Sequence, residues 1–323
     1  MEIILQILLL VVGFVFLIKG ADWLVDGASS VASNFKVSKL LIGLTIVAFG
    51  TGAPELAVSF SSLVNGSTDI LLGNVIGSNI INVLLLIGVA ALIHPIRVKK
   101  DTVSKELPLL LLISTALIVL VLDTSLTEAM ANVFSRSDAI VCLLLFGIFL
   151  YYLISLARKN KKEAKKVEKP KYKLGKSFLF VLLGLVGVVA GSELVVSSAS
   201  TIASAIGISE RIISLSIIAL GTSLPELVTT ITAAKKGESD LLIGNIVGSN
   251  IFNICIVLAL PVAISGAITP ENFEIIDLVM LFISTILVCI LARRDRKITR
   301  LAGILMLVIF TLYYGYIIYG ALI

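Results

Sequence analysis

Two glutamates stand inside apolar stretches: Glu55 in GTGAPEL (Gly50–Leu56) and Glu226 in GTSLPEL (Gly221–Leu227). A charge at membrane depth costs at least about 2.5–3.5 kcal/mol, so it normally faces a cavity and has a partner. A structural ion pair or a neutral, hydrogen-bonded acid would also satisfy a buried carboxyl. No basic residue lies at comparable depth in these segments; the nearest is Lys19, and the matching place in the second half holds Ala190. Cation ligation is therefore the favoured chemistry. Thr51 and Thr222 precede the glutamates by four residues, which puts hydroxyl and carboxylate on one helix face. Pro54 and Pro225 lack an N–H and obstruct the carbonyls of Gly50 and Gly221. A kink is expected there, freeing carbonyls around Ala48 and Ala219. Such carbonyls are tolerated at membrane depth where they line a cavity, and they suit a hard cation.

A second motif follows each of these, GNVIGSNIIN (Gly73–Asn82) and GNIVGSNIFN (Gly244–Asn253). Ser78 and Asn82 are four apart, as are Ser249 and Asn253, and Asn74, Asn79, Asn245 and Asn250 add further amides. The glycine pairs Gly73/Gly77 and Gly244/Gly248 would allow close helix packing, but packing does not account for the flanking Asn and Ser. The offered donors are all oxygens, which suits calcium or sodium and disfavours zinc or copper. Two carboxylates balance one divalent ion. Cys142, Cys255 and Cys289 lie in apolar runs without paired spacing, and the single His94 ends such a run. Neither a disulfide framework nor a zinc site is indicated.

The elements that must hold these residues are membrane helices. Of 323 residues, 58% are hydrophobic and 15% charged, and the mean hydropathy is +1.10. Soluble proteins average about 45–50% apolar and about 25% charged. This composition excludes a soluble enzyme, a nucleic-acid-binding domain and a disordered chain. The continuous apolar runs argue against an outer-membrane barrel, whose strands alternate. Hydropathy gives ten spans, near 3–30, 38–64, 70–94, 107–123, 137–157, 174–200, 210–234, 241–265, 273–293 and 299–322. The first is read as a span and not as a cleaved signal peptide, because it lacks a basic n-region and a cleavage site.

With the N-terminus placed outside, 23 of the 26 basic residues fall in inner loops or the linker. The positive-inside bias thus predicts both termini outside. The 158–173 segment is the basic cytoplasmic linker between a first five-helix unit, 1–157, and a second, 174–323. Its charge is read as a solvated, topology-setting connector in preference to an anionic-lipid patch.

The two units repeat at a constant offset of 171 residues. GADWLVDGAS (Gly20–Ser29) matches GSELVVSSAS (Gly191–Ser200), the glutamate motifs share five of seven positions, and the Asn/Ser motifs share seven of ten. An odd number of spans per unit turns the second over, giving an inverted-topology repeat of the kind used for alternating access. A channel would not require it. The expectation is an all-α integral membrane protein of ten transmembrane helices in two inverted five-helix repeats.

The paired GTSLPEL-like and GNxxGSN motifs resemble the α-repeats of the calcium/cation antiporter superfamily, and over essentially all ten spans the chain is similar to prokaryotic sodium/calcium exchangers. The resemblance implies a multi-pass prokaryotic inner-membrane antiporter, not an enzyme, carrying calcium and sodium without a cofactor. Helices two, three, seven and eight would form the site, and helices one and six would slide across them. Implied ligands are Glu55 and Glu226 as central carboxylates, with Thr51, Thr222, Ser223, Ser78 and Ser249 around the sodium positions. The carbonyls of Ala48 and Ala219 and the amides of Asn82 and Asn253 complete the set. Gly52 stands where the second motif and the family pattern have serine, and Asn253 where some members have aspartate; both bear on the number of sodium positions. A proton/calcium antiporter or a potassium-dependent exchanger on the same scaffold remains the alternative. The bilayer and the two ions are the expected partners, nucleic acid is not, and the oligomeric state is not legible.

Overall fold

A computed structural model describes residues 2–126, 131–162, 169–207, 219–270 and 274–322. Helix α1 runs Glu2–Phe35. Helices α2 (Lys39–Thr51) and α3 (Ala53–Val64) meet at a 43° bend. Then come α4 (Thr68–Ile93), α5 (Thr102–Val121), α6 (Arg136–Lys162) and α7 (Leu174–Ala205). A turn at Ala219–Gly221 precedes α8 (Leu224–Lys235), followed by α9 (Ser239–Ser265), α10 (Ile275–Arg293) and α11 (Arg300–Leu322).

Among the described residues, eight helices are long and apolar enough to cross a membrane, and the bent pair α2/α3 makes a ninth. The expected seventh span, 210–234, is described only in its second half; residues 208–218, with Arg211, lie outside the described residues, as do 163–168 of the linker. Helix α6 continues to Lys162, so the basic segment begins on a helix and not as a loop. One small feature departs from an all-helical reading: strands β1 (Ile96–Arg97) and β2 (Lys297–Ile298) pair antiparallel, Ile96 with Ile298.

Local chemistry repeats at the sequence offset. Helices α3 and α8 both end in a glycine with positive φ, Gly66 (72°) and Gly237 (71°). In both, the following amide reaches back to close the cap: Ser67 N to Ser62 O and Glu238 N to Ala233 O, each 2.8 Å. A left-handed residue at this position satisfies the last helical carbonyls and favours glycine. Pro54 and Pro225 sit in the first turns of α3 and α8, where the missing N–H costs nothing.

Two bodies can be distinguished. The apolar window of α9 is 83% buried and that of α4 72%, against 17% for α1 and 33% for α7. The buried pair forms the centre, and α2 packs onto α9 so closely that a Cβ at Gly248 would lie 2.8 Å from the Leu44 carbonyl. Helices α1 and α7 lie antiparallel outside this centre, backbone against backbone. A Cβ at Gly20 would meet Val188 N at 2.7 Å, and one at Gly191 would meet Leu17 N at 2.6 Å. Small residues permit such approach in membranes. Leu17, Ala21, Val188 and Val195 form an apolar cluster of their own between them.

Candidate functional site

The glutamates are placed by the helix breaks. Glu55 lies in the first turn of α3 and Glu226 in the first turn of α8, and both are buried. Each carboxylate therefore sits at the positive end of a helix dipole, and before Glu55 the carbonyl end of α2 offers partial negative charge. The two are near enough for their charges to interact. None of the described ion pairs involves either one, and Oε2 of both has no hydrogen-bond partner. A buried carboxylate oxygen left in this state is costly unless a cation faces it.

The other expected residues carry neutral oxygens on α2, α4 and α9 and at the second break. Thr51, Ser223, Ser78, Ser249, Asn82 and Asn253 are all buried, and Thr222 and Ala48 lie beside the same breaks, Thr222 half-buried. Ser223 Oγ, Ser249 Oγ, Asn82 Oδ1 and Asn253 Oδ1 have no partner. Thr51 Oγ1 donates to Val47 O (3.0 Å) and lies 3.5 Å from Asn245 Oδ1. It also neighbours Glu226, so the first break contributes to the surroundings of the second carboxylate. Among the described residues no group of three or more His, Cys, Asp or Glu side chains could hold a metal. Two carboxylates plus hydroxyl and amide oxygens remain, a donor set for calcium or sodium.

The carbonyl expectation needs one correction. The Ala48 carbonyl accepts the Gly52 N–H at 3.0 Å, because the bend comes one turn later than a freed Ala48 carbonyl would require. Its second lone pair alone is open to a cation. In the second half the Gly221 carbonyl, which has Pro225 four residues on, accepts the Ser192 hydroxyl at 2.9 Å. Ala219 lies in the turn before α8.

Further buried polar groups lie on the helices that carry the glutamates and the Asn/Ser motifs. Ser59 and Thr230 are fully buried, and their hydroxyls have no partner. They follow Glu55 and Glu226 by four residues, so extending the Thr–Glu spacing by one turn would have found them. Asn74 Nδ2 donates to the main-chain carbonyl of Glu55 at 3.3 Å, tying α4 to α3. Asn79 and Asn250, expected as further donors toward an ion, instead bond to each other's main chain across α4 and α9. Both helices are π-helical here, over Ile81–Leu86 and Asn253–Leu258, a distortion frequent at functional sites.

Known proteins share this architecture. The family described as "Sodium/calcium exchanger protein" matches residues 5–155 and 176–319. The inner membrane protein YrbG of Escherichia coli (strain K12) is 38% identical over 307 residues, 92% of each chain. The sodium/calcium exchanger MaX1 of Methanosarcina acetivorans is 30% identical over 323 residues, 88% of this chain and 92% of that one. A solved structure of the sodium-calcium exchanger NCX_Mj, soaked with Na+ and Sr2+, superposes with a TM-score of 0.84 at 32% identity, covering 97% of this chain and 99% of that one.

Proposed function

The chain belongs to the sodium/calcium exchanger family and exchanges sodium for calcium across a membrane, and we propose that it does so by alternating access to one ion cluster at the two helix breaks. In this reading Glu55 and Glu226 balance the two charges of calcium. Thr51, Thr222, Ser223, Ser78, Ser249, Asn82, Asn253 and the Ala48 and Ala219 carbonyls supply neutral oxygens to calcium or to the sodium ions that displace it. The observation that carries the reading is the pair of buried carboxylates, each in the first turn after a break and each with an oxygen lacking a partner.

The full architecture proposed is ten spans in two inverted repeats, both termini outside, the 158–173 linker in the cytoplasm of a prokaryotic cell and the protein in its inner membrane. Helices α1 and α7 would move as a pair across the buried centre. Their shared glycine seam and separate apolar cluster support this, as does their high exposure compared with α4 and α9.

Calcium uptake into proteoliposomes, with sodium and proton gradients imposed separately, tests the counter-ion. An outward sodium gradient should drive uptake, and an outward proton gradient at equal sodium should not. Uptake driven by protons alone would transfer the assignment to a proton/calcium antiporter.

A further inference from the structure

We infer that Asn79 and Asn250 are positioning residues: each holds the ligand asparagine of the opposite repeat with its oxygen, and not its nitrogen, toward the ion. Two main-chain carbonyls, groups that only accept, anchor the arrangement. Asn250 Nδ2 donates to the carbonyl of Asn79 at 3.2 Å. This fixes which end of the Asn250 amide is nitrogen and leaves its Oδ1 facing the other way. That oxygen accepts Asn82 Nδ2 at 2.9 Å. The Asn82 amide is thereby set in turn, and its Oδ1 is buried without a partner. The mirror chain runs through the other repeat. Asn79 Nδ2 donates to the carbonyl of Asn250 at 3.3 Å, Asn253 Nδ2 donates to Asn79 Oδ1 at 3.2 Å, and Asn253 Oδ1 is left without a partner.

All four side chains are at most 1% exposed, so water does not compete for these bonds. An amide turned by half a revolution would present an NH2 group to a cation. The crossed bonds exclude that state: turning Asn82 alone would set its Oδ1 against Asn250 Oδ1, and turning Asn250 with it would set Asn250 Oδ1 against the Asn79 carbonyl. The oxygens are thus oriented before an ion arrives, which lowers the cost of binding. The crossing is specific: Asn250 orients Asn82, and Asn79 orients Asn253.

The inference rests on Asn82 and Asn253 being ligands, and the experiment separates the two claims. Equilibrium binding of radioactive calcium to the purified full-length protein is measured for Asn82→Ala, Asn253→Ala, Asn250→Ala, Asn250→Asp and the doubles. Asn250→Ala should weaken binding about tenfold, as expected for a lost oriented polar contact. Combined with Asn82→Ala it should add little, whereas combined with Asn253→Ala the two losses should multiply. Asn79→Ala should show the reverse pattern. Asn250→Asp keeps an oxygen facing Asn82 Nδ2 but loses the donor to the Asn79 carbonyl, so it should weaken binding less than tenfold; if Asn250→Ala does not fold, this variant decides, and a loss that multiplies with Asn82→Ala as fully as with Asn253→Ala overturns the inference.

Equal, multiplicative losses in both doubles would show that Asn250 only supports packing, and an Asn250→Ala protein that binds calcium normally would also overturn the inference. Unchanged binding in Asn82→Ala and Asn253→Ala would instead remove the ligand reading, and the positioning role with it.

Discussion

At the first break the chain turns at Gly52 and at the second at Ser223, with nearly the same backbone angles, φ −79° and ψ 3° against φ −88° and ψ 4°. The side chains around these matching turns differ. A Cβ at Gly52 would lie 3.1 Å from the Phe252 ring and 3.1 Å from the Ala48 carbonyl. The residue matching Phe252 in the first repeat is Ile81. The Gly221 carbonyl accepts the Ser192 hydroxyl, while the place matching Ser192 is Ala21. Against these differences, Glu55/Glu226, Asn79/Asn250, Asn82/Asn253 and Ser78/Ser249 are the same in both halves. The groups suited to a divalent ion are two-fold symmetric, and the asymmetry falls on a neutral hydroxyl and on packing. On the proposed reading, calcium sees a symmetric site and sodium does not.

The largest effect should come from breaking the symmetric part. Glu55→Gln and Glu226→Gln each keep the shape of the side chain and remove one of two balancing charges. Removing one member of a buried charge pair costs about 3–5 kcal/mol, roughly two to three and a half decades in affinity. Both variants should abolish calcium uptake in proteoliposomes while remaining monodisperse in detergent, and to similar degrees. A large gap between them would mean that the carboxylates are not equivalent.

The asymmetric part should give a smaller and more informative response. Gly52→Ser restores the hydroxyl that Ser223 supplies in the other half, but its Cβ enters the space of Phe252, whose ring stacks on Phe49 at 4.8 Å. Overpacking of this kind costs about 1–3 kcal/mol, so the single variant should melt lower than wild type. Adding Phe252→Ile, the residue of the other repeat, should recover the melting temperature. The initial uptake rate of the double variant should then depend on the sodium gradient differently from wild type, with calcium dependence little changed. A marked shift in calcium affinity without any in sodium dependence would put position 52 in the calcium shell.

Much of this was legible because the repeat fixes corresponding positions. The constant offset found both glutamates, both proline breaks and the Ser/Asn pairs. Other features depend on what faces a residue across helices, which spacing along one chain does not record. Asn79 and Asn250 look like additional ligands in the sequence, yet they face each other's main chain. The missing serine at position 52 looks like a simple deletion until Phe252 is seen beside it. The Ala48 carbonyl depended on where the bend falls, and Gly52 N–H sets that. The π-helical turns after Ile80 and Phe252 have no sequence signature that hydropathy could detect.

The smallest effect expected lies outside the proposed ion cluster, at the ends of the α1/α7 pair. Lys236, after α8, contacts Asp26 of α1 at 2.9 Å and Asp22 at 3.2 Å. Lys171 of the linker holds the other oxygen of Asp26 at 2.6 Å. That hydrogen bond raises the Lys171 amine above its ordinary value, so its charge, and the contact, persist through neutral pH and are lost only in strong base. The places matching Asp22, Asp26 and Lys236 in the other half are Glu193, Ser197 and Asn65, and none of the described ion pairs involves them. Among the described residues, the charge ties to the centre therefore lie at one end of the α1/α7 pair. If α1 moves past α8 during exchange, these bonds break in every cycle. Half-exposed pairs contribute about 0–1 kcal/mol, so Lys236→Met should shift the balance between the two access states by no more than about fivefold. Distances between probes on α1 and α8, followed in single molecules, should show this shift toward the separated form. Choline chloride should produce the same shift in wild type by screening, with a smaller response in Lys236→Met. Populations indifferent to both the substitution and the salt would mean that α1 and the end of α8 travel together, and that the sliding boundary lies elsewhere.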